Sequence, residues 1–120
     1  MDIPIDADSR VPPYEQVRLR IAELASTGAL AAGTRLPPVR RLATDLGLAA
    51  NTVARAYREL EHAGLVETRG RAGTVITARA ARVPAEAQKA ARRYAEQTKS
   101  LGLTPEAALD LVKAALHLPG

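Results

Sequence analysis

The side chains with the clearest chemical potential are arginines, and they are concentrated in the middle of the chain. The 120-residue sequence has a formal net charge of +4, but residues 31–82 alone hold nine arginines against four acids. Residues 1–30 are net negative and residues 83–120 are nearly neutral. Because guanidinium groups bind phosphate and base edges in a bidentate way, this distribution indicates a nucleic-acid partner. A basic face that only confers solubility is the alternative that composition leaves open.

Residues for other kinds of chemistry are sparse. The chain has no cysteine, which excludes disulfides and thiolate sites, and neither His62 nor His117 has a ligand-spaced partner for a metal. No carboxylate dyad or nucleophile–base pair is present, so we predict neither an enzyme nor a bound cofactor. The first ten residues lack a signal-peptide pattern, and no apolar run approaches the ~20 residues of a membrane span. We therefore expect a cytoplasmic protein that makes no membrane contact.

The central arginines belong to an ordered series of elements over residues 36–75. Residues 39–46 have the apolar spacing of a short helix. Gly47 then permits the positive φ that a tight turn needs. A second, longer helix is predicted to begin near Ala49 or Asn51. Short helix, tight turn and longer helix is the order of a helix-turn-helix.

A basic hairpin is predicted after the second helix. Residues 65–68 and 74–77 have the composition of strands, and the tip between them carries two arginines and two glycines. In a winged helix-turn-helix the second helix lies in the DNA major groove, while the hairpin reaches the backbone or the minor groove. The predicted fold is therefore mainly α with a small β-hairpin, a winged helix-turn-helix followed by two C-terminal helices.

The flanking segments give the chain two parts. Residues 1–11 are predicted to form an N-terminal arm, and a proline pair then opens the first helix. We expect the DNA-binding domain to cover residues 1–78. Residues 79–120 are predicted to be a linker and two amphipathic helices, one over residues 85–101 and one that begins at Thr104.

Two short amphipathic helices cannot bury their apolar faces against each other alone. They must pack on the winged domain or on a second copy of the chain, and we predict that they form a homodimer. The predicted dimerisation residues are Ala87, Ala91, Tyr94, Leu101, Ala108, Leu111, Val112, Ala115 and Leu116.

The chain resembles a known family over about residues 11–77. The segments that carry the resemblance are PPYEQVRLRIAELASTGALAAGTRLPPVRRLA, NTVARAYRELEHAGLVETR and GRAGTVI. They are similar, in order and spacing, to the winged-helix domain of the GntR superfamily of bacterial transcription regulators. The short tail resembles the YtrA-type subfamily, whose members carry only two C-terminal helices, used for dimerisation.

The resemblance also implies positions for DNA contacts. Arg40 matches an arginine that approaches the DNA backbone, Asn51 and Thr52 match the start of the recognition helix, and Arg69 and Gly70 match the wing-tip pair. Alanines stand before Asn51, where many members have polar residues, so only apolar contact, for example with a thymine methyl group, is open there. The predicted DNA-binding set is Arg40, Arg41, Ala50, Asn51, Thr52, Arg55, Arg69, Gly70 and Arg71.

Simpler roles remain open for several of these residues. Asn51 and Thr52 are good helix caps in any context and can cap the open N–H groups of their own helix. Arg55 and Arg58 can pair with surface carboxylates, either Glu59 and Glu61 or Asp45 across the turn. The tyrosines are predicted to be core or interface residues rather than base-stacking platforms, since each falls on an apolar stripe; they are Tyr14, Tyr57 and Tyr94.

The function predicted from these patterns is a bacterial transcriptional repressor. It would bind double-stranded DNA at an inverted-repeat operator as a homodimer, because one recognition helix reads only a few base pairs. A small-molecule effector could release it, and a pocket between the winged domain and the tail helices is our hypothesis for its site. The alternative is a winged helix used for protein interaction, since a fold does not determine a function.

Overall fold

The computed structural model describes residue 1 and residues 3–120, which form two compact units, Met1–Ala85 and Glu86–Gly120. The helices in chain order are α1 (Pro13–Thr27), α2 (Val39–Leu46), α3 (Ala50–His62), α4 (Ala78–Arg82), α5 (Ala85–Ser100) and α6 (Pro105–Ala115). The strands β1 (Val66–Thr68) and β2 (Thr74–Ile76) lie between α3 and α4. This order confirms the predicted winged helix-turn-helix followed by two C-terminal helices.

The first unit is built around one apolar core, to which every helix contributes one stripe. In α1 the residues Val17 and Ile21 are fully buried, and Gly28 ends the helix in the left-handed conformation at φ 87°. In α2 and α3 the inward positions are those that helical spacing predicts. The buried residues of these two helices are Leu42, Ala43, Val53, Ala56, Tyr57 and Leu60.

The hairpin is extended by the loop that precedes α2. Strands β1 and β2 pair antiparallel, with Val66 opposite Ile76. The Leu36 N–H donates to the Thr74 carbonyl at 2.8 Å, and the Ile76 N–H donates to the Thr34 carbonyl at 2.9 Å. The loop before α2 therefore adds a third, very short extended segment to the sheet and couples the hairpin to the start of the helix-turn-helix.

The N-terminal arm is part of the first unit rather than a free extension. Ile3 is 3% exposed and belongs to the core. The Gln16 side chain on α1 holds the arm, because its amide accepts from the Asp6 N–H at 2.8 Å and donates to the Asp6 and Val11 carbonyls at 2.9 and 2.8 Å. The predicted arm over residues 1–11 is thus held to α1 at its middle, by Asp6, and at its end, by Val11.

The predicted linker begins as a helix. Thr77 caps α4 by accepting a hydrogen bond from the Ala80 N–H, and its hydroxyl donates to the Gly64 carbonyl at 2.7 Å. Ala80 is buried, and α4 packs on α1. The first unit ends at Ala85, and the DNA-binding domain predicted over residues 1–78 lies within it.

The second unit is a pair of helices joined at a glycine turn. Gly102 has φ 83°, and the Thr104 hydroxyl caps α6 as predicted, accepting from the Ala107 N–H at 3.1 Å. The Tyr94 hydroxyl on α5 donates to the Ala108 carbonyl on α6 at 2.7 Å. This hydrogen bond ties the two helices together within one chain.

Tyr57 connects α3 to the segment just before α2. Its hydroxyl donates to the Pro37 carbonyl at 2.7 Å, and burial raises the pKa of the phenol above its ordinary value of 10.0. We expect Tyr57→Phe to lower the free energy of unfolding near neutral pH by about 1 kcal/mol, because one net hydrogen bond is lost. Urea unfolding measures this change.

The same substitution should alter the response to alkaline pH. Since the folded-state pKa of Tyr57 is raised, its neutral form stabilises the fold fully below pH 10.0, and this contribution is lost as the pH rises further. Wild-type stability should therefore fall more steeply above pH 10.0 than that of Tyr57→Phe. Parallel stability curves for the two proteins would show that the phenol is not held neutral by burial.

Candidate nucleic-acid interface

The start of α3 is open, with no side chain capping it. Ala49 precedes the helix in an extended conformation, at φ −66° and ψ 146°, and no side chain accepts a hydrogen bond from the first turn. The prediction that Asn51 or Thr52 caps this helix is wrong, because both residues lie inside the helix, beyond the capping position. Among the described residues, the N–H groups of Ala50 and Asn51 therefore remain available to an external acceptor, whereas the Thr52 N–H donates to the Ala49 carbonyl at 3.1 Å.

The outward face of α3 carries the residues predicted to read bases. Ala50, Asn51 and Arg55 are exposed, and Thr52 is half-buried. Asn51 and Arg55 are four residues apart, so they lie on the same face of the helix. The structure thus presents these side chains to solvent, while their contact with DNA stays a prediction.

The helix α2 presents two further cations beside this face. Arg40 and Arg41 occupy its first turn and are both exposed. Leu42 and Ala43, which follow them, are buried, and α2 packs on α3. Burial of the apolar half of α2 therefore leaves the two guanidinium groups in solvent on the opposite half.

The tip of the wing is an ordered turn. The Arg69 N–H donates to the Gly73 carbonyl at 2.8 Å, and residues 70–72 form a single 3₁₀ turn. Gly73 has φ 75° and ψ −153°, a conformation that is essentially restricted to glycine. Arg71 is exposed within this turn.

Two residues support the wing from outside it. The Arg35 guanidinium lies so close to Gly73 that a Cβ atom there would meet Arg35 Nε at 3.0 Å. The Glu61 carboxylate on α3 accepts from the Thr68 N–H at 3.2 Å and from the Thr68 hydroxyl at 3.0 Å. The wing is therefore held against both α3 and the loop before α2, which fixes where its arginines emerge.

The charge of the first unit lies on its surface. All nine arginines of residues 31–82 are exposed. Within the described part of the chain, Arg69 is the only one of them that forms an ion pair, with Glu67. The predicted alternative, in which Arg55 and Arg58 pair with nearby carboxylates, is not observed among these residues.

Arg55 instead lies over an aromatic ring that was predicted to be a core or interface residue. Its guanidinium carbon is 3.8 Å from the centroid of Tyr14, the second residue of α1. Tyr14 is only half-buried, whereas Tyr57 is buried as predicted. No pattern in the sequence indicated that the Tyr14 ring contacts Arg55, because the two residues lie on different helices.

Other kinds of site are not found in the described residues. Within residue 1 and residues 3–120, no group of three or more His, Cys, Asp or Glu side chains could hold a metal ion. Over the same residues, no helix is long and apolar enough to cross a membrane.

Comparison with known proteins identifies the domain that carries this surface. Residues 13–76 match the family model described as "Bacterial regulatory proteins, gntR family". The HTH-type transcriptional regulator Rv1152 of Mycobacterium tuberculosis is 46% identical over 115 residues, which cover 96% of this chain and 92% of that protein. The match therefore includes the C-terminal helices as well as the winged domain.

Proteins named YtrA resemble the chain in both sequence and structure. The HTH-type transcriptional repressor YtrA of Bacillus subtilis is 47% identical over 76 residues, 62% of this chain and 58% of that protein. The structure of YtrA from Sulfolobus acidocaldarius, a GntR-family transcription factor, superposes with a TM-score of 0.61 and 36% identity over 63% of this chain and 80% of that one. These relatives are transcription regulators rather than enzymes. The chain belongs to the GntR family and is a DNA-binding transcriptional regulator that resembles the YtrA type.

Proposed function

We propose that the protein is a repressor that binds an inverted-repeat operator in double-stranded DNA as a homodimer. The observation that carries this proposal is the exposure of all nine central arginines on the unit whose recognition helix, among the described residues, has no side-chain cap. A surface that served only solubility would not need this concentration of one cation type on one unit. The Bacillus subtilis relative is named a transcriptional repressor, which supports repression rather than activation. A DNA-binding role also implies the cytoplasmic location expected from the sequence.

In this proposal the first turn of α3 makes both phosphate and base contacts. The open N–H groups suit a phosphate oxygen, since a helix N-terminus is a favourable place for an anion. Asn51 and Arg55 reach base edges from the exposed face, and Ala50 offers apolar contact with a thymine methyl group. Thr52 is half-buried, and we assign it a contact with the sugar-phosphate backbone of the DNA.

The arginines outside α3 supply affinity that does not depend on base sequence. Arg40 and Arg41 on α2, and Arg69 and Arg71 in the wing, contact phosphates or enter the minor groove beside Gly70. Arg69 must leave Glu67 to do so, but an exposed ion pair of this kind contributes about 0–1 kcal/mol and opens at little cost.

The homodimer is proposed to form through the second unit, which exposes more apolar surface than a monomer needs. Leu101, Leu111 and Leu116 are 76%, 56% and 61% exposed. Tyr94, Ala108 and Val112 are half-buried where α5 meets α6, and Ala87, Ala91 and Ala115 are exposed. A second copy would cover this surface and, by two-fold symmetry, would present two recognition helices to an inverted repeat.

A small-molecule effector completes the proposal, and an open groove in the first unit supports it. The groove has a volume of about 460 Å³ and is lined by Leu24, Leu30 and Leu36 together with Arg20 and Arg35. The Nε atom of Arg20 is buried without a hydrogen-bond acceptor among the described residues, while its terminal nitrogen pairs with Glu23. Apolar walls with the exposed Arg35 guanidinium suit an organic anion.

The competing function is a protein-interaction module without sequence-specific DNA binding. The exposed apolar face of the second unit is the observation that favours it, since such a face could bind another protein. The two functions differ in the partner of the arginine surface. DNA binding whose affinity falls steeply with salt distinguishes them.

The test of the proposed function is the substitution Arg69→Ala, with Arg93→Ala as its control. Both arginines are exposed, but Arg93 lies on α5, outside the predicted interface. Loss of one phosphate contact should weaken binding to all DNA sequences and reduce the salt slope of log K by about 1, whereas Arg93→Ala should change neither quantity. Titrations at several salt concentrations measure both. A loss confined to a single base position would refute the role assigned to the wing.

A further inference from the structure

One contact on the proposed DNA-binding face has no role in the function as described so far. The Arg55 guanidinium carbon lies 3.8 Å from the centre of the Tyr14 ring. The ring belongs to the first turn of α1, a different helix from the one that reads DNA. Within the described residues, this ring is the only group that contacts the Arg55 guanidinium through a hydrogen bond, ion pair or stacking interaction.

The contact restricts a side chain that would otherwise be mobile. An exposed arginine has many accessible rotamers, and much of this conformational freedom is lost when it binds a base. A guanidinium group stacked by its face on an aromatic ring keeps its edge N–H donors free to bind acceptors in the plane. Stacking on Tyr14 thus orders Arg55 before DNA arrives and leaves its hydrogen-bonding edge available.

The ring itself is held in place by the fold. Tyr14 is half-buried at the start of α1, and Val17, one turn later, is fully buried in the core. The helices α1 and α3 pack directly on each other. A side chain fixed at this helix contact can define the position of a neighbour, which a side chain in a mobile loop could not do.

We propose that Tyr14 is a positioning residue that orients Arg55 for base recognition, so that specificity depends on α1 as well as on α3. The inference rests on the proposed function, because it assigns a base-reading role to Arg55. It predicts that the aromatic ring matters and that the phenolic hydroxyl does not. It also predicts that Tyr14 acts only through Arg55.

The experiment compares Tyr14→Leu, Tyr14→Phe, Arg55→Ala and the double variant Tyr14→Leu/Arg55→Ala in the full-length protein. Each is titrated against the operator and against its single-base-pair variants. Arg55→Ala should lose about 5- to 150-fold of discrimination at one base pair in each half-site. Tyr14→Leu should lose about 2- to 30-fold at the same base pair, Tyr14→Phe should match the wild type, and the double variant should match Arg55→Ala.

A measurement without DNA separates this inference from the proposed function. In NMR spectra of the free protein, the side-chain protons of Arg55 should show a ring-current shift in the wild type and in Tyr14→Phe, and the shift should disappear in Tyr14→Leu. If the shift behaves in this way but the wild type discriminates among no sequences, the proposed function fails and the stacking geometry is retained.

Two results would overturn the inference. The first is an Arg55→Ala/Tyr14→Leu double variant whose losses in discrimination simply add, which would mean that Tyr14 does not act through Arg55. The second is a loss in Tyr14→Leu that is uniform over all sequences and accompanied by a lower melting temperature. That result would assign Tyr14 a structural role only.

Discussion

Replacing Leu111 with aspartate is expected to split the dimer and to weaken operator binding by about two to four orders of magnitude. Leu111 is 56% exposed on α6, within the face that we propose a second copy covers. A carboxylate buried in that contact would lack a partner, which is strongly unfavourable. Without the dimer, each half-site is bound by a separate chain, and the gain from linking the two binding events is lost.

Leu118→Asp provides the matched control, because it makes the same exchange beyond the end of α6, at a residue outside the predicted dimerisation set. Leu118 is 54% exposed, almost the same as Leu111. Sedimentation should show a dimer for the wild type and for Leu118→Asp, and a monomer for Leu111→Asp. If the Leu111→Asp protein remains dimeric, or binds the operator as tightly as its control, α6 does not form the dimer contact.

Replacing Asn51 with alanine is expected to cost about 1–3 kcal/mol of operator binding and to relax base preference at one position of each half-site. Asn51 is exposed in the first turn of α3 and forms no cap there. Since the side chain makes no hydrogen bond to the residues that the structure describes, the free energy of unfolding should change by less than about 0.5 kcal/mol. The substitution should therefore weaken DNA binding and leave the stability of the fold almost unchanged.

His62→Ala is the control for this prediction, because His62 is exposed at the opposite end of α3. Competition binding against single-base-pair operator variants gives the discrimination, and thermal unfolding gives the stability. If Asn51→Ala discriminates among operator variants as well as the wild type does, Asn51 does not contact bases. A marked loss of stability would show that its role is structural after all.

The central part of the fold could be predicted from the sequence because its boundaries are set by local chemistry. Gly47 takes the left-handed conformation at φ 68°, as the predicted turn after α2 requires, and Gly28 does the same after α1. The proline and threonine at the start of α6 likewise predicted its first turn, where Thr104 is the cap. In each case one or two neighbouring residues are sufficient to determine the structure.

Features that depend on contacts between distant residues could not be predicted in this way. Residues 78–82 were predicted to be a linker because a five-residue helix is too short to show helical periodicity in the sequence. They are helical because Ala80 packs into the core. Ile3 enters the core from a polar segment for the same reason. The stacking of Arg55 on Tyr14 joins residues 41 positions apart, which no spacing rule within one helix can anticipate.

The capping role predicted for Asn51 and Thr52 failed for a related reason. Both residue types favour caps, but the helix starts at Ala50, so the capping position falls on Ala49, which has no polar side chain. Composition alone did not determine the register of the helix to within one residue. The error bears on function, because an uncapped first turn is free to bind phosphate.

The most direct test of the central claim is a titration of the full-length protein with the DNA upstream of its own coding sequence. Random DNA serves as competitor, and the titration is repeated at two salt concentrations. The account predicts preferential binding that weakens steeply as salt increases, with two subunits on each inverted-repeat site. Binding that is weak, independent of sequence and insensitive to salt would contradict it, and would leave the arginine surface to a partner other than DNA.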